Sequence, residues 1–190
     1  MDDLSLHILD VVENSTAAGA SLVRIRITED SAHDRLEITI ADNGRGMDAA
    51  MAATATPPFV TTRTTRRVGL GLPLLKMAAE ETGGTLALLS TPGVGTEVTA
   101  TFQASHIDCK PLGDLAATMV ALILGNPTVD FDFVHAQDGE VIELDTRELK
   151  EQLGDVPITT PAVLSMITDH LQTADRTDGA GVEREGENHG

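Results

Sequence analysis

Residues Arg63 to Thr82 read RTTRRVGLGLPLLKMAAEET. A basic, threonine-rich run passes into the turn Gly69-Leu70-Gly71-Leu72, and the turn opens a helix reaching about Glu81. Pro73 fits the first turn of that helix, where an N–H has no intrahelical partner to lose. Gly83-Gly84 closes it. Backbone N–H groups at a helix start, with glycine permitting close approach, form an anion site. Arg63, Arg66, Arg67 and Lys76 place four of the chain's 13 cations within 14 residues, on a protein of net charge −17. Such a cluster on so acidic a chain calls for a local anion, and a polyphosphate has the required charge density. A dinucleotide fingerprint is excluded, because no strand precedes Gly69 and Leu74 stands where the third glycine belongs.

Working back from this turn, Thr54 to Val68 is rich in Thr, Pro and Arg and lacks an apolar period. A segment of this kind beside glycine turns reads as a lid. Before it comes Asp42-Asn43-Gly44-Arg45-Gly46-Met47. Asn-Gly is a common hairpin turn. Here an Ala-rich helix, Asp48 to Thr54, follows in place of a second strand, so the glycines read as a close approach to a ligand. Leu22–Thr28 and Leu36–Ala41 alternate apolar and polar residues and predict an antiparallel hairpin across the polar turn 29–34. Residues 3–18 predict a helix with Leu4, Ile8, Val11, Ser15 and Ala18 on one face, ended by Gly19. A second stripe stacks His7, Asp10 and Asn14 at spacings of three and four. Downstream, Thr85–Leu89 and Glu97–Phe102 predict another hairpin, joined through Ser90–Thr96. The order is helix, two strands, helix, lid, helix, two strands. It predicts an α+β fold, a two-layer α/β sandwich with a mixed sheet of four or five strands in residues 1–103.

Composition bounds the rest. The chain has 190 residues, 41% apolar, with four Phe as its only aromatics, so the core is aliphatic. Residues 1–103 hold 8 Lys/Arg against 13 Asp/Glu, and residues 104–190 hold 5 against 17. That surface argues against nucleic acid and anionic membranes as partners. The single Cys109 excludes an intramolecular disulfide and fits a reducing compartment. No apolar run approaches the roughly 20 residues of a membrane span. The start, MDDLSLHILD, is acidic where a signal peptide is basic. The expectation is a soluble cytoplasmic protein.

Residues 104–173 predict a small α/β appendage. It contains a helix over Leu115–Leu124, a hairpin from Val129–His135 and Val141–Leu144, a helix Arg147–Leu153 capped by Thr146, and a helix from Pro161 to about Leu171 capped by Thr160. Asp130, Asp132, Glu143 and Asp145 read as a solvated acidic strand face rather than a metal site. Residues 174–190 lack core-forming side chains and predict a disordered acidic tail.

With these residues in place, residues 4–103 resemble the gyrase, chaperone, histidine-kinase and mismatch-repair ATPases (the GHKL superfamily, with the Bergerat ATP-binding fold). The likeness is carried by four boxes in order: Asp10…Asn14 in HILDVVENSTAAGA, Asp42-Asn43-Gly44-Arg45-Gly46, Gly69-Leu70-Gly71-Leu72, and Gly95-Thr96-Glu97. The resemblance implies that Asp42 accepts from the adenine amino group, with Gly44 and Gly46 leaving room for the ring and Thr96 near the base. It implies Asn14 as the ligand of Mg²⁺ and Gly69, Leu70, Gly71 and Leu72 around the phosphates. Arg63, Arg66 or Arg67 would close over the γ-phosphate, the three remaining equivalent at this stage. Asp10 stands where the mismatch-repair and gyrase branch carries a Glu general base, and it is one methylene shorter. His7 either orients Asp10 or is an ordinary surface or core histidine. PFVTTR, VGLGL and the GTE strand look like the histidine-kinase lid and its flanks. None of the six histidines has the context of a sensor-kinase phosphoacceptor. The appendage and the opening LSLHILDVVENS also resemble stand-alone ATP-binding proteins that accompany NADH-linked iron-hydrogenase subunits.

These resemblances imply ATP and Mg²⁺ as ligands, and a kinase acting on a separate protein. The alternatives are a slow ATPase, or a nucleotide sensor without turnover, that switches or assembles a partner such as a redox complex.

Overall fold

The computed structural model describes residues 3–55 and 71–172. The proposed lid residues Arg63, Arg66 and Arg67, the first half of the glycine turn (Gly69, Leu70) and the tail 174–190 lie outside the described residues.

The first helix, α1, spans Leu4–Ala17 and is capped by the Asp3 carboxylate, which accepts from the N–H of Leu6. Strands β1 (Leu22–Asp30) and β2 (Arg35–Asp42) follow, joined by a short 3₁₀ turn. Helix α2 is Ala49–Ala55, and α3 begins, among the described residues, at Gly71 and ends at Glu81. Strands β3 (Thr85–Thr91) and β4 (Gly95–Gln103) complete the first part. Then come α4 (Leu115–Gly125), β5 (Asp130–Gln137), β6 (Glu140–Asp145), α5 (Thr146–Leu153) and α6 (Pro161–Gln172).

The three expected hairpins pair as read from the periodicity. Alternation did not foretell how they assemble. The six strands of the described residues form one sheet, in the order β3-β4-β2-β1-β5-β6. Every pairing is antiparallel except that of β5 with β1, which is parallel and sets Phe131 beside Val23 and Phe133 beside Ile25. The sheet is therefore mixed, and it runs unbroken past residue 103, where the sequence suggested an appendage. Its inner face buries Val23, Ile25, Ile27, Leu36, Ile38, Ile40, Val98, Ala100, Phe102, Phe131 and Phe133. Residues of α1, α3, α4 and α6 join them in one core, giving an α+β two-layer sandwich.

The other face of the sheet is polar. Thr39 and Thr99 share a hydrogen bond, and Asp132 lies within ion-pair distance of Arg24, Arg26 and Arg147. The acids Asp130 and Asp145 pair with Lys150 and Arg147, so this face spends its carboxylates on cations. No group of three or more His, Cys, Asp or Glu side chains that could hold a metal ion occurs among the described residues. Two expected caps differ. Asp145, one residue earlier than expected, caps α5 by accepting from Arg147 N–H, while the Thr146 hydroxyl accepts from Phe131 N–H and closes the start of β5. The Thr160 hydroxyl donates to the carbonyl of Pro157 and does not cap α6.

The connector 104–114 has a structural task. The carbonyls of Pro111 and Leu112 accept from the first helical N–H groups of α1, at Leu4 and Ser5. These donors have no partner inside the helix. Helix α4 then packs against both α1 and α6. No helix of the described residues is long and apolar enough to cross a membrane.

Because Phe131 is fully buried between β1 and the helices, Phe131→Ala is expected to destabilise the fold by about 3–5 kcal/mol. Thermal unfolding followed by circular dichroism should show one lowered transition covering both parts of the chain.

Candidate functional site

Asp42 ends β2 and lies in register with Thr96 of β4 and Val23 of β1. Its carboxylate is fixed by three donors. Ser15 Oγ donates to Oδ2 at 2.7 Å, while Gly44 N–H and Thr96 N–H donate to Oδ1 at 2.9 and 3.3 Å. The carboxylate is thus immobilised before any ligand arrives, with acceptor capacity left over.

The turn after Asp42 is held as firmly. Asn43 Oδ1 accepts from Ser21 and Leu22 N–H, and Arg45 N–H donates to the carbonyl of Ala18. Asn43 is therefore a clamp on the start of β1. Gly46 has φ +64°, and a Cβ there would stand 2.0 Å from the Thr91 carbonyl oxygen. Ser90 Oγ accepts from Met47 N–H and shares a hydrogen bond with Thr96 Oγ1, tying the turn to the β3–β4 hairpin.

Above this floor a cleft of about 310 Å³ opens. Its walls are apolar: Val11 of α1, Ile40 of β2, Val98 of β4, Leu72 of α3, and Met47, Met51 and Ala55 around α2. Its polar groups include Asp42 and Thr96 at the sheet and Asn14 and Ser15 on α1, with Arg45 and Gly46 at the turn. Asp42, Thr96, Gly46, Leu72 and Asn14, singled out in sequence by separate motifs, thus line one cavity. Gly44 meets it through its N–H to Asp42.

Asp10 does not line the cleft. It lies one turn before Asn14 on α1, against the first described turn of α3. A Cβ on Gly71 would sit 2.6 Å from Asp10 Cβ and 3.4 Å from Oδ2. The glycine lets α3 approach α1 closely and sets the Asp10 carboxylate beside the first described turn of α3. Lys76 pairs with Glu80 at 3.8 Å. His7 is a core residue: it is 1% exposed and neither ring nitrogen has a hydrogen-bond partner. It makes no hydrogen bond to Asp10. Burial, reinforced by the nearby Lys110 charge, holds its pKa below the ordinary imidazole value.

Sequence reasoning missed Ser15, Ser90 and Arg45. Ser15 carried a signal: it is a polar side chain within the apolar stripe of α1, buried at 4% exposure, and such a group needs a partner. Ser90 and Arg45 had no signal beyond their neighbourhood to the glycines.

The hard-oxygen donors fit a small divalent cation. Asn14 lines the cleft and Asp10 stands one helical turn before it on α1; these are oxygen donors of the kind such a cation would take.

Residues 2–106 match the family of histidine kinase-, DNA gyrase B- and HSP90-like ATPases. The chain belongs to that family and carries its ATP-binding domain. It is 40% identical over 111 residues to the sensor protein kinase FleS of Pseudomonas aeruginosa, covering 58% of this chain and 27% of that protein. It is 31% identical over 113 residues to the non-motile and phage-resistance protein of Caulobacter vibrioides, covering 57% and 13%. The chain thus spans well under a third of these relatives. Among solved structures, the N-terminal domain of a DNA repair protein superposes with a TM-score of 0.53 at 16% identity, covering 76% of this chain and 53% of that one. This likeness concerns the fold.

Two outcomes follow from the packing of α1. Gly71→Ala is expected to push α3 off Asp10 and lower stability by about 1–3 kcal/mol, read by denaturant titration. Burial makes the folded His7 take up its proton at a lower pH than the unfolded chain, which protonates it near 6.5. Above that pH both states are neutral and this site contributes no pH dependence. As pH falls through it, the unfolded state takes up this proton before the folded state does, so stability falls. Melting temperatures between pH 7 and pH 5 should show that decline, and His7→Leu should flatten it.

Proposed function

We propose that the chain binds Mg²⁺ with ATP in this cleft and transfers the γ-phosphoryl group to a separate protein. The observation that carries the reading is the convergence of Asp42 and Asn14, 28 residues apart in sequence, on one apolar slot. Asp42 reads the adenine amino group, and its prior fixation by Ser15, Gly44 and Thr96 means little ordering remains on binding. Asn14 holds Mg²⁺, which neutralises phosphate charge when bound. Backbone N–H groups from Gly69 to Leu72 grip the phosphates, and one of Arg63, Arg66 and Arg67 covers the terminal one. In the transfer, the acceptor's nitrogen or hydroxyl oxygen bonds to the γ-phosphorus. The bond from that phosphorus to the β–γ bridging oxygen breaks, ADP leaves, and Asp10 takes the acceptor's proton. Sensor kinases among the relatives support the kinase branch, and the acceptor is then a second protein.

One observation favours a second reading, a nucleotide switch with slow or no hydrolysis. Helix α1 carries Asp10, Asn14 and Ser15, and the same helix is capped by the connector and packed by α4. Occupancy of the cleft is thereby linked to residues 104–172, which would grip a partner such as a redox-enzyme subunit.

Incubation with γ-labelled ATP and candidate partners separates the two. Label on a partner supports transfer; free phosphate, or no turnover with retained binding, supports the switch. Asp42→Ala is expected to weaken ATP binding about ten- to a hundredfold, the worth of a charged hydrogen bond. Asp10→Asn should spare binding, measured by calorimetry, and end turnover. Normal turnover by Asp10→Asn would refute the role given to Asp10.

A further inference from the structure

The two edges of the sheet are treated differently. The β6 edge carries Glu140, Glu143 and Asp145, and His170 of α6 hydrogen-bonds the Glu143 carbonyl. Charge and a covering helix are the usual protections of a free strand edge. The β3 edge has neither charge nor proline: it reads TLALLST, seven residues, and among the described residues its strand hydrogen bonds run only to β4. Leu86 and Leu88 pack inward on the core, while Thr85, Ala87, Leu89 and Thr91 are exposed. Leu89 is 68% exposed, a large apolar side chain on an otherwise polar face.

We infer that β3 is a dimerisation edge, at which two copies of this chain pair their β3 strands antiparallel about a two-fold axis at Leu88. The occupant follows from the sequence of the strand itself. With Leu88 on the axis, Thr85 stands opposite Thr91 of the second copy and Ala87 opposite Leu89. Each exposed leucine then covers the small alanine across from it, twice by symmetry. The pairing satisfies the backbone groups of both edges. It also brings together the one edge at which two chains of net charge −17 meet without like charges. The two-fold stands perpendicular to the sheet, so both helical layers lie on one face. Thr91 borders the Gly46 turn, so the two clefts open at opposite ends of the joined sheet. This inference does not depend on what the clefts bind.

Sedimentation of the full chain at micromolar concentration tests it. The expected mass is twice the 20.0 kDa of one chain, and Leu89→Lys should return it to one. Far-UV circular dichroism and a cooperative thermal melt of the variant serve as the check that it is folded. A monomeric wild type, or a dimer that survives both Leu89→Lys and Ala87→Lys, overturns the proposal. In a Cys109→Ser background, the double variant Ala87→Cys, Leu89→Cys should form an oxidised dimer, because directly opposed strand positions lie within disulfide reach. Failure to cross-link while the mass stays double would overturn the register and with it the proposed edge.

Discussion

Three donors on one carboxylate hold this site together. Ser15 comes from α1, Gly44 from the turn that follows β2, and Thr96 from β4, and all three end on Asp42. The hydrogen bonds therefore join the helical layer, the glycine turn and the sheet at one point. Charge-assisted hydrogen bonds are about twice as strong as neutral ones. A carboxylate left half-buried without them would be costly. The cleft gets its shape from this junction, and the apolar walls need only fill in around it.

The glycines serve the same junction. At Gly46 the backbone passes the Thr91 carbonyl at a distance no side chain tolerates, and at Gly71 α3 sits on Asp10. Read as motifs, they suggest space for a ligand. In the fold, the nearest atoms belong to the protein, and the room for a ligand is the cleft that this close packing leaves.

Much of this was legible in the residues. Period-two alternation located every strand, because one face of each is buried and the other is not. The 3.6-residue period located α1, and Gly19 ended it with φ +79°. Asp42, Thr96 and Asn14 could be placed together because each belongs to a box with its own chemistry. The parallel pairing of β5 with β1 was not legible. Alternation records which face is buried but not which strand lies alongside, and nothing local in DFDFVHAQ names LVRIRITED as its neighbour. The burial of His7 was hidden for a related reason: at spacings of three and four it sits on the stripe of Asp10 and Asn14, yet the connector and neighbouring helices enclose its end of that stripe. The Thr146 hydroxyl was misread because two acceptor tasks compete at that corner, and Asp145 takes the cap.

The connector's two carbonyls on α1 have a further consequence for how the polypeptide can be divided. The segment recognisable as an ATPase stops at residue 106, but the amides of Leu4 and Ser5 find their acceptors at residues 111 and 112. A fragment cut at the family boundary would leave both amides to solvent and strip β1 of its parallel neighbour. The smallest unit able to hold the helix of Asn14 and Ser15 in place is thus longer than the part of the chain that resembles its relatives.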